Sequence, residues 1–528
     1  MKEIWNIAVL ASKDPNYTNA YDALLKDVES LGPSHNIRFI FFEFNGKPIE
    51  TKVFKYLFNS NKSEETAAAD CSDLYNLQHI ITFFKNHVVK KDSETETNRY
   101  MVITWGHGAG LGVLAKLETP VIPDYIKSEF TNVAKYGNES SEVISFLKDI
   151  ETQFNYRSKI NNQLAFLKAN LVLPKIIQEE SIEAIEKTVL KGIFKNNITD
   201  NPDFEPALKK LEQFTTDFKE KDTYVLTLLT GQDLDFVFNA SFEKNKKIDV
   251  LITINCFTQM LELGLGLKSK VSLLVAPQTM IPFYGVNYEE LFKLLNSSGN
   301  SSLSLKKISK NITSYFWPKY IQPDLEEIYR INYENYRIED TSFSCNNLEH
   351  YSDLEELIGQ VGRNLLTLKQ NDRREVWGII TEAREKCKDI SPGGDYGVID
   401  FTLFFQNVLF GLQANRDKLD PRAMEIFMLL NNLFYKLITE IRQKSNLSIM
   451  MCEGKNYVAL DVDDNSHTGI DYVSLSPFFI SIFFPGNKTS IMQELLRPKL
   501  GSLVDPPITE KPSYKDWYNF VIELFNSK

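Results

Sequence analysis

Two residues of the chain, Cys256 and His107, have the chemical types and the positions that nucleophilic catalysis requires. Cys256 follows an apolar run rich in β-branched side chains, 250–254, which is typical of a buried parallel strand. His107 follows a second apolar run, 99–104, and precedes a glycine. Because ligands bind outside the carboxyl ends of parallel strands, these two strands could bring an imidazole and a thiol together there. That pair is the arrangement used in nucleophilic cysteine catalysis.

The residues around Cys256 predict an activated thiol. An apolar, helix-like stretch, 259–267, follows it, so we expect Cys256 to lie near the positive end of a helix, which lowers a thiol pKa. A lone cysteine after a strand is more often a small core residue than a nucleophile. The segment that ends in His107 has the same design, and it favours the catalytic interpretation.

Strands and helices alternate in the chain ahead of His107. The predicted elements are a strand at 4–11, a helix at 20–31, a strand at 37–44, a polar loop at 60–70, a helix at 73–88 and a strand at 99–104. This order predicts an α/β fold with a parallel-rich sheet covered by helices. The glycine-rich segment at 106–112 is not a dinucleotide-binding fingerprint, because it follows the third predicted strand and not the first.

The segment between His107 and Cys256 is longer than a usual connection. Residues 113–222 are polar, rich in Lys, Glu and Asn, and have helical spacing, so they predict a helical insertion. The favoured interpretation is a solvated subdomain, and the alternative is a lid or a self-inhibiting segment. A short strand at 224–229 and a helix beginning at Thr230 lead back to the Cys256 strand.

The chain predicts two domains: 1–300, which holds the insertion, and an α-rich α/β region at 301–528. Helices are predicted at 259–267, 287–295, 354–368, 374–386, 401–412, 421–442 and 514–525, and strands at 271–276, 447–451 and 478–484. We expect Asp400 to cap a helix. Four phenylalanines that follow it are expected in the core, namely Phe401, Phe404, Phe405 and Phe410.

The composition limits the classes of function. A net charge of −11 argues against nucleic-acid binding, and no apolar run approaches the length of a membrane span. The five cysteines are scattered, which indicates neither a disulfide framework nor a zinc site. A strand begins almost at residue 1, so the expectation is a cytoplasmic protein; the alternative is export with a signal removed beforehand. We also expect a monomer, and no cofactor.

A series of short motifs is spread over most of the chain. They are Trp105-Gly106-His107-Gly108, Leu229-Thr230, Cys256, Val275-Ala276-Pro277-Gln278, Gly285, Tyr288, Val398-Ile399-Asp400, Ser481-Ile482-Phe483-Phe484-Pro485 and Trp517. In these motifs and their order, the chain resembles the clostripain family of cysteine peptidases, relatives of caspases, gingipains and legumain. The resemblance implies a caspase-like sheet and a cysteine endopeptidase acting on peptide or protein substrates.

The resemblance also implies roles for particular residues. Cys256 would be the nucleophile that forms an acyl-enzyme, and His107 would protonate the leaving amine. The backbone N–H groups of Gly108 and Cys256 would stabilise the oxyanion. Glycine at 108 is expected to allow a close backbone approach to substrate. Substrate-binding roles fall on Trp105, Asn255, Gln278 and Thr279.

The chain departs from the family pattern around the dyad. Family members usually have Asp-Ala-Cys at 254–256, where this chain has Ile-Asn-Cys, and an acidic stretch at 277–279, where it has Pro-Gln-Thr. They also usually have Asp or Asn in place of Gly106. Without those carboxylates a buried cationic side chain has no partner, so the family's preference for Arg or Lys is not expected here.

These departures leave two alternatives open. One is a catalytically weak or inactive relative that binds peptides or acts as a scaffold. The other is a different cysteine hydrolase or acyltransferase on a similar sheet. Activation cleavage, if it occurs, is expected within the insertion, which carries lysines at 116, 127, 135 and 148.

Other polar clusters receive a structural interpretation. The loop 461–467 lacks the glycine and the final glutamate of an EF-hand, so a solvated turn is favoured over a calcium site, and no metal site is expected. Four histidines have no partner pattern in the sequence and are assigned no role, namely His35, His79, His87 and His350.

Overall fold

The structure of the chain is a computed structural model, and it describes residues 2–13, 18–30, 36–44, 52–57, 62–66, 71, 73–118, 225–279, 281, 285–297, 304–315, 342–369, 374–387, 397–453, 456–461, 481–484 and 513–526. The predicted insertion beyond residue 118 and the acidic loop beyond residue 461 lie outside these residues. The chain divides into two compact units, 1–116 with 228–328 and 336–528, and 117–227 with 329–335. Nearly all described residues belong to the first unit.

The described strands are β1 Lys2–Ser12, β2 Ile37–Phe44, β3 Lys52–Leu57, β4 Lys62–Thr66, β5 Glu96–Trp105, β6 Gly112–Glu118, β7 Val225–Thr230, β8 Ile248–Ile254, β9 Val271–Ala276, β10 Ser342–Asn347, β11 Val398–Asp400, β12 Asn446–Glu453, β13 Asn456–Asp461 and β14 Ser481–Phe483. The α-helices are α1 Thr18–Ser30, α2 Leu77–Phe83, α3 Gly231–Ser241, α4 Leu261–Leu267, α5 Tyr288–Ser297, α6 Leu305–Ile312, α7 Tyr351–Lys369, α8 Arg374–Lys386, α9 Phe401–Ala414, α10 Pro421–Glu440 and α11 Tyr514–Asn526.

A ten-stranded sheet forms the centre of the fold, in the order β13-β12-β10-β9-β8-β5-β1-β2-β3-β4. The five middle strands, from β9 to β2, are parallel, and antiparallel strands extend the sheet on both sides. The middle strands are almost continuously buried, as their runs of Val, Ile and Leu predict for a sheet covered on both faces. The predicted α/β class with a parallel-rich sheet is confirmed.

Strands from both sides of residue 300 belong to this one sheet. β10 pairs with β9, with Cys345 opposite Val275, and β12 pairs with β10 on its other side. β11 and β14 form a separate two-stranded sheet, and β6 and β7 form another. The domain boundary at residue 300 stays a prediction.

Three local predictions are wrong. β4 lies within the segment predicted as a polar loop, and with β3 it forms an antiparallel hairpin at the sheet edge, where charged side chains are common and apolar alternation is not needed. β6 occupies the start of the predicted helical insertion, because a short apolar run does not distinguish strand from helix. Phe410 is 62% exposed, since it lies nine residues after Phe401 and therefore about 180° around the helix from it. The other three phenylalanines are buried, as predicted.

Candidate active site

The register of the sheet brings the ends of the His107 and Cys256 strands side by side. In the parallel pair β5 and β8, Trp105 lies opposite Ile254, so each candidate residue comes two positions after a paired one. The backbone N–H of Gly106 then donates to the carbonyl oxygen of Ile254 at 3.2 Å, which prolongs the pairing beyond both strands. The backbone of Gly106 has φ +148°, a conformation that favours glycine.

Asn255 joins the two strand ends with its side chain. Its amide Nδ2 donates to the carbonyl oxygens of Gly106 at 2.9 Å and His107 at 3.0 Å. Its Oδ1 accepts a hydrogen bond of 2.5 Å from the hydroxyl of Thr104. Asn255 is fully buried, so its side chain is not exposed to a substrate as the sequence suggested, and its amide bonds instead to the loop that carries His107. Thr104 has no signal in the sequence that would have indicated this role.

Gly108 lies directly against the backbone of Cys256. A Cβ atom at position 108 would stand 2.3 Å from the carbonyl oxygen of Cys256 and 2.7 Å from its nitrogen. Any larger residue would force the two segments apart. The close approach found at this glycine is to the backbone of Cys256, and the expected approach to substrate stays a prediction.

Two backbone N–H groups beside the thiol are available for a ligand. No described residue accepts a hydrogen bond from the N–H of Gly108 or from that of Cys256. Native structures rarely leave such donors without an acceptor when they are buried, and functional sites are where the exceptions concentrate. The pair is suited to bind a carbonyl oxygen that becomes negatively charged.

The Cys256 thiol is buried and protonated. The residue is 7% exposed, and its Sγ lies 3.9 Å from the carbonyl oxygen of Ile281. Burial raises the pKa of the thiol to about 11. The prediction of a pKa lowered by a helix is wrong, because the helix α4 begins five residues later, at Leu261, and the desolvation of the thiol dominates.

The turn after Cys256 is held in an unusual backbone conformation. Phe257 has φ +60°, which a bulky residue rarely adopts and which costs of the order of 1–3 kcal/mol. Its N–H donates to the carbonyl oxygen of Thr279 at 3.0 Å. Thr258 donates from its hydroxyl to the carbonyl oxygen of Asn255 at 2.7 Å. These bonds hold the chain reversal that places Cys256 beyond the sheet edge.

The other residues with predicted substrate-binding roles are engaged in the protein. Trp105 is fully buried, and its ring lies 5.2 Å from the ring of Tyr21. Gln278 is 3% exposed and donates from Nε2 to Oδ2 of Asp400 at 3.1 Å. The hydroxyl of Thr279 accepts from the backbone N–H of Ser342 at 2.9 Å. Of the four, only Thr279 is partly exposed.

Asp400 links the C-terminal part of the chain to the strand that follows Cys256. As predicted, it caps a helix, with Oδ1 accepting from the N–H of Leu403 at 2.9 Å. Thr402 also donates to Oδ1, and Gln278 donates to Oδ2. Asp400 is 2% exposed, and both of its carboxylate oxygens accept hydrogen bonds. It is therefore not available to a cationic substrate side chain.

Comparisons with known proteins give matches among solved structures alone. No protein-family model matches the chain, and a search of curated proteins finds no match. The structure search matches a secreted C11 cysteine protease from Bacteroides thetaiotaomicron, "iotapain", with TM-score 0.45 and 10% identity, covering 95% of this chain and 97% of that chain. It also matches an inactive zymogen C11 protease from Parabacteroides distasonis, with TM-score 0.43 and 11% identity, covering 98% of this chain and 97% of that chain.

These solved structures are clostripain-family cysteine proteases. A further match is the Bacteroides protease in complex with an irreversible peptide inhibitor, with TM-score 0.44 and 11% identity, covering 98% of this chain and 99% of that chain. Among the described residues, no helix is both long enough and apolar enough to cross a membrane.

Proposed function

We propose that the chain is a cysteine endopeptidase that hydrolyses peptide bonds through Cys256 and His107. The observation that carries the proposal is the close packing of Gly108 on the backbone of Cys256. It brings the residue next to His107 onto the nucleophile, and it sets beside Cys256 two N–H groups for which no described residue is the acceptor. A structural cysteine in a sheet needs none of these features.

The reaction proceeds in two steps from this geometry. Sγ of Cys256 attacks the scissile carbonyl carbon, and the N–H groups of Gly108 and Cys256 bind the oxyanion. His107 delivers a proton to the leaving amine, the C–N bond breaks, and a thioester remains on Cys256. His107 then takes a proton from water, the hydroxide attacks the thioester, and the acid product leaves as the thiol is restored.

The raised thiol pKa determines how the first step is activated. With a pKa of about 11, only about one thiol in 10⁴ is ionised at pH 7. Proton transfer from Cys256 to His107 must therefore accompany the attack, because almost none of the thiol is ionised beforehand in this conformation. A substrate that excludes water and orients both groups supplies the alignment that this transfer needs.

The segment 277–279, where relatives of the resembled family carry acidic residues, favours an uncharged substrate residue at the cleavage site. Asp400 is the acidic group bonded to Gln278, and its oxygens already accept from Gln278, Thr402 and Leu403. Among the described residues, a lysine or arginine entering beside Gln278 would lose water without gaining a free carboxylate. We therefore propose a polar or apolar residue, and not a basic one, on the acyl side of the cleaved bond.

The buried thiol favours a second candidate function, a peptide-binding relative that does not turn over substrate. Burial and a pKa of about 11 are what an unreactive structural cysteine would show. In that case the free N–H groups of Gly108 and Cys256 would hold a peptide carbonyl without chemistry.

A peptide-library assay with trapping of the intermediate separates these functions. The wild-type chain is incubated with the library before and after limited proteolysis, and intact mass is measured after rapid acid quenching. The expected result is cleavage with a transient acyl adduct on Cys256, abolished in Cys256→Ser and reduced at least about 10²-fold in His107→Ala. Cleavage that survives in Cys256→Ser would overturn the dyad.

Two other outcomes identify the alternatives. Saturable peptide binding without adduct or cleavage, before and after proteolysis, would establish the binding function. Turnover of small amides or acyl transfer to an amine, with no peptide cleavage, would establish a different cysteine hydrolase or acyltransferase. Cys387→Ser is the matched control, because burial also raises the pKa of the Cys387 thiol to about 11, and Cys387 donates nothing to the site.

A further inference from the structure

Three potential metal ligands meet at the junction of two helices of the C-terminal part of the chain. His350 ends a single 3-10 turn, Leu348–His350, that leads into α7, and Asp353 lies in the first turn of α7. Glu440 is the last residue of α10. One ligand atom from each of the three side chains lies within 4.8 Å of the other two. His350 and Asp353 are three residues apart, so they share a face of the chain as it enters the helix.

Glu440 carries a buried oxygen that accepts no hydrogen bond from the described part of the chain. The residue is 7% exposed, and its Oε2 accepts from the ammonium of Lys444 at 3.0 Å. Its Oε1 has no hydrogen-bond partner among the described residues, and it lies 3.7 Å from Nδ1 of His350, beyond hydrogen-bond distance. Leaving a buried carboxylate oxygen without a hydrogen bond is costly, and a cation shared with the nearby His350 would compensate that cost.

An open groove adjoins two of these three side chains, Asp353 and Glu440. It has a volume of about 640 Å³ and is lined by Asp353, Glu356, Tyr435, Glu440 and Lys444, among others. The groove is large enough for a hydrated cation to enter, and Asp353, at its wall, is exposed and free to change rotamer. An entry path is one requirement of a metal site, and the groove provides it.

We propose that His350, Asp353 and Oε1 of Glu440 bind a divalent transition-metal ion of the zinc class. One imidazole nitrogen and two carboxylate oxygens suit Zn²⁺, with water completing four ligands, whereas Ca²⁺ and Mg²⁺ prefer oxygen alone. Ligands about 2.1 Å from zinc lie roughly 3.4 Å apart in a tetrahedron, so the present spacing closes by a small movement of the Asp353 side chain. The ion would bind the start of α7 to the end of α10.

Lys444 sets the affinity of this site. Its ammonium occupies Oε2 of Glu440 and leaves Oε1, the oxygen nearer His350, for the metal. The two cations would then lie on opposite oxygens of one carboxylate, where they repel each other. Removal of the ammonium should therefore strengthen metal binding, an effect opposite to that expected for a residue that merely supports the fold.

Calorimetric titration of Zn²⁺ into the full-length Cys256→Ala chain tests the proposal without interference from the dyad. One ion per chain is expected, with affinity lowered more than about 10-fold in His350→Ala and in Glu440→Gln, and raised in Lys444→Ala. Glu356→Gln is the matched control, because it removes the same charge from the wall of the same groove and should leave affinity unchanged. Thermal unfolding without metal verifies that each variant is folded.

Cobalt supplies a readout of the ligand set. Co²⁺ added in place of zinc should give a visible absorption spectrum that changes in His350→Ala and not in Glu356→Gln. The proposal is wrong if wild-type chain binds no Zn²⁺, if binding is unchanged in both His350→Ala and Glu440→Gln, or if Ca²⁺ binds as tightly and without dependence on His350.

Discussion

The substitution Asn255→Ala should separate positioning of the candidate dyad from stability of the sheet. The alanine removes hydrogen bonds from Asn255 to Gly106 and His107, at 2.9 and 3.0 Å, and the one from Thr104 at 2.5 Å. At about 0.5–1.5 kcal/mol for each of the three bonds, the free energy of unfolding should fall by about 1.5–4.5 kcal/mol. The carbonyl oxygen of His107 keeps a second donor, the N–H of Ala115 at 2.8 Å, so the loop loosens and does not detach.

The expected effect on activity exceeds the effect of lost stability. A displacement of about 1 Å between reacting groups costs roughly 10²-fold in rate, which corresponds to about 2.7 kcal/mol in the activation barrier. We therefore expect kcat/KM for the best library peptide to fall about 10²-fold at a temperature where the variant is fully folded. The pH dependence of Cys256 alkylation should also move toward that of His107→Ala, because both variants weaken the same pair.

Asn98→Ala is the matched control for this experiment. Asn98 is also buried and also makes three side-chain hydrogen bonds, to Lys91 at 3.0 Å, to Asp92 at 3.2 Å and from Asn6 at 3.0 Å. It lies near the start of β5, whereas the candidate site lies beyond the end of that strand. It should lose comparable stability and keep wild-type kcat/KM. If Asn255→Ala also keeps wild-type kcat/KM and alkylation at full folding, the amide does not position His107, and the reasoning is refuted.

Three further perturbations test the site. Gly108→Ala should lower kcat/KM by at least about 10²-fold, because its Cβ would lie 2.3 Å from the Cys256 carbonyl oxygen. In the control Gly378→Ala the new Cβ has nothing within 4 Å, so that variant should keep its activity and gain up to about 1 kcal/mol of helix stability. Equal activity in the two variants would contradict the close packing. Alkylation of Cys256, followed by site-resolved mass spectrometry, should rise about tenfold for each pH unit from 7 toward its pKa of about 11, and a plateau below pH 8 would show that the pKa is low. Asp400→Ala should lower the free energy of unfolding by about 1–3 kcal/mol in urea titration, since both the helix cap and the partner of Gln278 disappear, and an unchanged midpoint would exclude that role.

Local sequence patterns were sufficient for most of the fold. Runs of Val, Ile and Leu identified the parallel strands, and the strands predicted at 37–44 and 271–276 have the bounds found in β2 and β9. Capping residues located helix starts in the same way, as Thr230 and Asp400 show. These features are local, because one strand's burial or one helix's first turn depends on side chains a few positions apart.

Polar edge strands and helix faces could not be predicted in this way. The β4 strand, Lys-Ser-Glu-Glu-Thr, has no apolar alternation, and its conformation comes from backbone pairing with β3. The exposure of Phe410 likewise depends on which neighbours cover its helix, and not on its own hydrophobicity.

Some features of the candidate site follow from local sequence patterns, and others depend on the tertiary structure. The sequence by itself determined that His107 and Cys256 follow buried strands, since residue type and hydrophobic pattern are enough to place a side chain at a strand end. The tertiary structure decided that Asn255 fastens the loop of His107, that Gly108 lies on Cys256, and that the thiol is protonated. It also brought His350 within reach of Glu440, 90 residues later in the chain. Hydrogen bonds between distant segments and the desolvation of one sulfur atom depend on how the whole chain packs, and no local pattern carries that information.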